Sequence, residues 1–150
     1  MKIIKPLILG FALTALVFNA CKKDEVKTTS KTDLLTAKDW KITAATMTSS
    51  SGTVDIYALL PACNKDDLSK YNTDHTITDK AGATKCDQSE PSTSPGGNWS
   101  FINNESGLRI IDKDTTDASI ITLTSSTLKI STVENSSGTA QTINVTFTAQ

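Results

Sequence analysis

The chain has 150 residues, with 15 Lys and Arg against 16 Asp and Glu and a formal net charge of −1. That length fits one ordinary domain able to bury a core of its own, and the near-neutral balance offers no basic stripe for nucleic acid. With 24 Thr and 16 Ser and no long helical periodicity in the mature part, the composition points to an all-β chain, because β-branched Thr suits the half-solvated face of a sheet.

Lys2 and Lys5 precede an apolar run from Pro6 to Phe18. This is the charged-then-hydrophobic order of a secretory signal, and it is too short for a transmembrane helix. Ala20 then stands directly before Cys21. The stretch resembles the lipobox of bacterial lipoproteins, where cleavage leaves a cysteine that carries lipid on its sulfur. Phe18 and Asn19 depart from the small or branched residues usual there, and the alternative is an ordinary signal with an incidental cysteine. The chain therefore divides into a signal at 1–20, a lipidated flexible tether at 21–31 and a domain at 32–150. Lys23-Asp24-Glu25 resembles the basic-then-acidic signal that carries some lipoproteins to the outer face of the outer membrane. Loss of Lys2 and Lys5 takes the net charge to −3, so charge does not draw the protein to anionic lipid. The expected membrane partner is reached through acyl chains on Cys21, which places the protein at the outer membrane, with exposure on the cell surface as a further expectation.

Beyond the tether, Asp33 to Asp39 has room for one short helical turn with Thr32 or Asp33 as its cap. Trp40, Ile42 and Ala44 alternate with Lys41, Thr43 and Ala45, which is a strand pattern. A turn at Ser49–Gly52 leads to a short strand at Val54–Tyr57, ended by Pro61. Leu68–Asn72 and His75–Thr78 form a hairpin. Segments 61–67 and 80–98 read as loops. Cys63 precedes the hairpin and Cys86 follows it. In an exported chain such a pair reads as a disulfide across the hairpin's open end; the alternative is two free thiols.

The second half alternates more cleanly. Trp99 with Phe101, Leu108 with Ile110, and Ile143, Val145 and Phe147 each share a face. Turns are expected at 103–107, 112–117, 125–126 and 135–138. About eight or nine antiparallel strands in a meander leave two edges, and closing into a barrel removes them.

Leu34-Leu35-Thr36-Ala37-Lys38-Asp39-Trp40-Lys41-Ile42, Cys63-Asn64-Lys65-Asp66-Asp67, Gly82-Ala83-Thr84-Lys85-Cys86 and Gly97-Asn98-Trp99-Ser100-Phe101 together resemble the bacterial lipocalin-like domain found in exported lipoproteins of Gram-negative bacteria. The resemblance covers roughly 32–149. It implies a small antiparallel β-barrel of about eight strands, related in shape to lipocalins, and says more about architecture than ligand. A turn glycine expected near Asp74 is absent, with His75 following instead.

No constellation for catalysis is present. His75 has no triad or metal partner, Asp66-Asp67 lacks the regular oxygen-ligand spacing of a calcium loop, and neither a phosphate loop nor a nucleophile elbow occurs. Asp112, Asp114 and Asp117 read as a solvated acidic turn. Asp114-Thr115-Thr116 resembles a short bacterial O-glycosylation motif, against the plain alternative of a turn. The chain is expected to be no enzyme and to need no cofactor. Trp40, Tyr57, Trp99 and Phe101 are the candidates to line an apolar cavity, with no charged residue alternating inward. The functional expectation is non-catalytic binding of a small apolar or amphipathic molecule. The alternative is a structural or interaction subunit with a filled barrel and an envelope protein as partner.

Overall fold

The computed structural model describes residues 28–136 and 138–150. The signal at 1–20, Cys21 and the tether as far as Lys27 lie outside the described residues.

The described chain starts with a helix, α1 (Lys31–Thr36). Ser30 caps it: Asp33 N donates to Ser30 Oγ at 3.0 Å, and Ser30 N donates to the Asp33 carboxylate at 3.3 Å. This reciprocal capping box satisfies donors that a helix start leaves bare. It also moves the start two residues ahead of the expected turn, because Asp33 works as the third helical residue rather than as the cap.

Nine antiparallel strands follow among the described residues: β1 (Asp39–Ser49), β2 (Gly52–Asp55), β3 (Leu68–Tyr71), β4 (Thr76–Lys80), β5 (Thr93–Ile102), β6 (Gly107–Ile111), β7 (Thr115–Leu123), β8 (Thr127–Ser136) and β9 (Thr139–Ala149). They lie in the order β2-β1-β3-β4-β5-β6-β7-β8-β9, and β9 pairs back onto β1 from Trp40↔Ala149 to Thr48↔Thr142. Eight strands, β1 with β3 to β9, thus close a barrel, as expected. β2 stands outside the wall. It pairs with the far end of β1, Thr46↔Asp55 to Ser49↔Gly52, while β3 takes the near end of the same edge, Asp39 to Lys41.

Four local expectations are corrected. A register shift between Ile42 and Ala44 interrupts β1. The extra residue reverses the alternation, so Ala45 is buried and Ala44 exposed. The strand expected at Val54–Tyr57 ends at Asp55, because Ile56 N and Tyr57 N both turn back to donate to Ala45 O at 3.0 and 3.1 Å. The 80–98 loop is shorter: β5 starts at Thr93, inside it. There Thr76 pairs with Asn98 and Thr78 with Pro95, so Gly96 and Gly97 together oppose Ile77 as a bulge. Gly97 has φ +95°, and a Cβ there would strike Ile111 O, which is why a glycine pair reads as loop but builds a strand. Finally, the 112–117 turn ends at Asp114. Asp117 belongs to β7 and forms a bidentate pair with Arg109, at 2.6 and 2.7 Å.

The β3–β4 turn shows why the missing glycine is tolerated. His75 takes the left-handed φ of 69°, and the Asp74 carboxylate accepts from Thr76 N at 3.0 Å and Thr76 Oγ1 at 2.7 Å. These bonds brace the turn and hold the Asp74 carboxyl below its usual range. The His75 ring packs against Trp99, with centroids 4.8 Å apart.

The core gathers at the helix end of the barrel. Leu35, Leu108 and Leu128 are fully buried beside Trp40, Trp99, Tyr71 and Ile77. Both indoles satisfy their N–H groups on backbone carbonyls: Trp40 Nε1 donates to Leu35 O at 2.8 Å, and Trp99 Nε1 to Asn72 O at 3.0 Å. Trp99 meets Tyr71 and Phe101 edge-on, at 6.0 and 5.3 Å between centroids. Such pairs add to their area burial by about 0.5–1.5 kcal/mol each. The bond from Trp40 to Leu35 makes α1 a plug, closing the end at which β1 begins.

Candidate functional site

At the opposite end the strands are fringed by two loops, 56–67 and 81–92. Cys63 and Cys86 join these loops in the expected disulfide, with Cα atoms 5.2 Å apart. The bridge crosses the base of the β3–β4 hairpin. The Asn64 side-chain oxygen lies 2.7 Å from Cys86 Sγ; a bridged sulfur carries no proton, so this is a close contact and not a hydrogen bond. Asp66 and Asp67 tie the loops further. The Asp66 carboxylate accepts from Thr84 N at 2.9 Å, and Asp67 accepts from Gly82 N at 2.8 Å. Gly82 is packed so closely on Asp66 that a Cβ would overlap its carboxylate. Among the described residues no three His, Cys, Asp or Glu side chains converge as a metal site.

Between these loops and the upper ends of β3 and β4 lies a pocket of about 420 Å3, within the usual range for small-molecule sites of roughly 300–1,000 Å3. Its floor follows from strand register. Trp40 opposes Ser69, Ser69 opposes Asp79, and Asp79 opposes Ser94. Directly opposed residues in an antiparallel sheet share a face, so these four side chains form one row across four neighbouring strands. All four line the pocket. Trp40 belongs to the core, which makes this the inner face.

An inward carboxylate corrects the expectation that no charge alternates inward. Asp79 stands two residues after buried Ile77, and Ser69 two before buried Tyr71; period-2 alternation places both inside. Ser69 Oγ donates to Asp79 Oδ1 at 2.7 Å. Gly96 supplies the room: a Cβ there would lie 2.6 Å from Asp79 Oδ2 and 2.8 Å from Ile77 Cγ2. Burial, and after it the Asp79 charge, pushes the Tyr71 hydroxyl well above its ordinary value. Ile42 and Leu60 add apolar surface, and Lys80, also in the lining, is held by Asp39 at 2.6 Å.

Of the four residues expected to line a cavity, Trp40 reaches this pocket. Trp99 is buried in the core, and Phe101 packs against it. Tyr57 lies on the 56–67 loop with Lys65 Nζ 5.0 Å from its ring centroid. Aromatic size pointed to Trp99 and Phe101, yet large side chains fill a small barrel, and the space remains where small Ser69 and Ser94 sit. Thr115 is exposed at the start of β7.

A family model described as a lipocalin-like domain matches residues 35–130. The chain belongs to the lipocalin-like domain family. The match opens at Leu35, the residue that plugs the barrel, and runs into β8, so it takes in the helix end, the disulfide loops and the whole row from Trp40 to Ser94. No curated protein matches the chain. Lipocalin-like domains are typically non-catalytic binding proteins, and a lipocalin-like barrel points to small-molecule binding.

Proposed function

We propose that this lipocalin-like barrel binds, without catalysis, a small amphipathic molecule in the pocket at its disulfide-fringed end. The observation that carries the reading is the pocket itself. It opens opposite the helix plug and joins apolar surface from Trp40, Ile42 and Leu60 to polar groups from Ser69, Asp79 and Ser94. Amphipathic ligands need both kinds of surface in one concave site. Native mass spectrometry of protein purified from its own host tests it. The expected result is a retained small molecule that Ser94→Trp, which fills the pocket, releases without lowering the melting temperature. A ligand-free wild type that also takes up no amphipathic molecule in titration overturns the reading.

The setting we propose is the outer membrane, reached through acyl chains on Cys21, with Lys23-Asp24-Glu25 favouring the outer face. Its support is the signal pattern from Lys2 to Ala20 and the cysteine that follows. Cys21→Ser is expected to leave the membrane fraction, and retention at wild-type level rejects the anchor. Protease shaving of intact cells is expected to remove the domain; full protection rejects surface exposure.

The second reading, an interaction subunit that contacts another envelope protein, is favoured by Leu59, 73% exposed on the 56–67 loop. It replaces the first if the pocket binds nothing.

A further inference from the structure

The charge pattern of the pocket narrows its ligand. Lys80 is the cation in the lining, and Asp39 already holds it at 2.6 Å. Asp67 lies on the 56–67 loop, where its Oδ1 accepts from Gly82 N. Asp79 differs from both. It faces into the barrel, Ser69 fixes one of its oxygens, and among the described residues no protein donor reaches the other, Oδ2. Asp79 lines the pocket, and the absence of a side chain at Gly96 gives its carboxylate the room to lie there. Glu90 at the rim adds a second carboxylate, and the Lys85 ammonium beside it donates to the Glu90 backbone carbonyl at 2.6 Å. A half-buried carboxylate with an open oxygen needs a donor from whatever enters, because burying it unpaired is costly while a charge-assisted bond offsets that cost. An anionic headgroup meets the reverse: repulsion by Asp79 and Glu90, while Lys80, the cation of the lining, is already paired with Asp39.

We infer that the pocket selects amphipathic amines, with the ligand's ammonium group on Asp79 Oδ2 and its apolar part against Trp40, Ile42 and Leu60. This rests on the pocket being the binding site. The row geometry supports an ammonium in particular. Ser69 and Ser94 flank Asp79 on the two neighbouring strands, so hydroxyl acceptors lie on either side of the carboxylate for the remaining N–H donors. A protonated amine carries three donors and no acceptor, which matches such an array. A fatty acid presents the opposite pattern.

Isothermal titration with decylamine, decan-1-ol and decanoate below their micelle thresholds, at neutral pH, tests the inference. Decylammonium is expected to bind at least about tenfold more tightly than decanoate, a difference of about 1.4 kcal/mol. Its affinity is expected to fall with added salt, whereas that of decan-1-ol stays level. In Asp79→Asn the amine is expected to drop to the affinity of the alcohol, with alcohol binding unchanged. Decanoate binding as tightly as decylammonium, or an amine preference that survives Asp79→Asn, overturns the amine inference and leaves the pocket reading standing. Failure of all three to bind the wild type overturns the pocket reading itself. If circular dichroism shows Asp79→Asn to be unfolded, the wild-type ranking and its salt dependence decide: no preference for the amine, or a preference indifferent to salt, rejects the inference.

Discussion

At one end of the barrel, a six-residue helix carries Leu35 to full burial, and the Trp40 indole bonds to the helix's own backbone. At the other, two loops joined by Cys63–Cys86 surround a pocket floored partly by Ser69, Asp79 and Ser94. Trp40 belongs to both, since it packs in the core and also lines the pocket. The contrast separates two requirements that one small barrel must meet. Apolar burial scales with area removed from water, so it is concentrated where aromatic side chains fill the bore. Recognition needs unfilled volume and an unsatisfied polar group, so it sits where the inward residues are small. A substitution at the plug should therefore be read in stability, and one at the fringe in binding.

The largest expected effect is at the plug. Trp40→Ala removes a side chain that is 1% exposed and is expected to destabilise the fold by about 3–5 kcal/mol in urea unfolding. Trp40→Phe, which loses the bond to Leu35 O, should cost about 1 kcal/mol through that bond, in addition to the change in packing. A Trp40→Ala effect no larger than that of Ser94→Ala breaks the comparison.

The next effect belongs to the fringe. Replacing both Cys63 and Cys86 by Ser frees a loop whose ends are 23 residues apart, and chain entropy gives a loss of about 3 kcal/mol. Hydrogen exchange sharpens the contrast. Amides of 81–92 should lose protection while β8 and β9 keep theirs; equal loss in both regions would show that the two ends unfold as one unit.

A smaller effect appears with pH. The Tyr71 hydroxyl is raised in the folded state by burial and then by Asp79, so the native protein holds that proton more tightly than the unfolded chain, whose tyrosine titrates near pH ~10. The stabilisation is complete below that pH and is lost as pH rises above it toward the folded value. Melting temperature should therefore fall in alkali, and Tyr71→Phe should fall less steeply than wild type. Identical slopes would place Tyr71 outside the linkage.

The smallest effect lies on the outer wall, away from both ends. Arg109 and Asp117 pair at 2.6 Å but are 42% and 46% exposed. The bond lowers the Asp117 carboxyl, so any contribution is present above the ordinary carboxylate range and fades as pH falls through the lowered value. Solvent screens such a pair, and a double-mutant cycle by thermal melting should find no measurable coupling at physiological salt.

Much of this was legible in the residues alone. Alternation announced the barrel strands, a pair of cysteines flanking a hairpin announced the disulfide, and the run from Leu34 to Ile42 with Gly97-Asn98-Trp99 announced the lipocalin-like pattern. Those features are local or nearly so: side chains alternate every two residues, and turns follow from short-range chemistry. Even Asp79 was readable, as the second residue after Ile77 on the same face. What remained hidden depended on distant partners. Gly96 and Gly97 read as loop until β4 opposed them and turned the pair into a bulge. Ala44 and Ala45 exchange faces because an extra residue in β1 shifts its register against β9. Where the bore is filled and where it stays open depends on which side chains meet across strands, and only the paired registers of β1, β3, β4 and β5 brought Trp40, Ser69, Asp79 and Ser94 into one row.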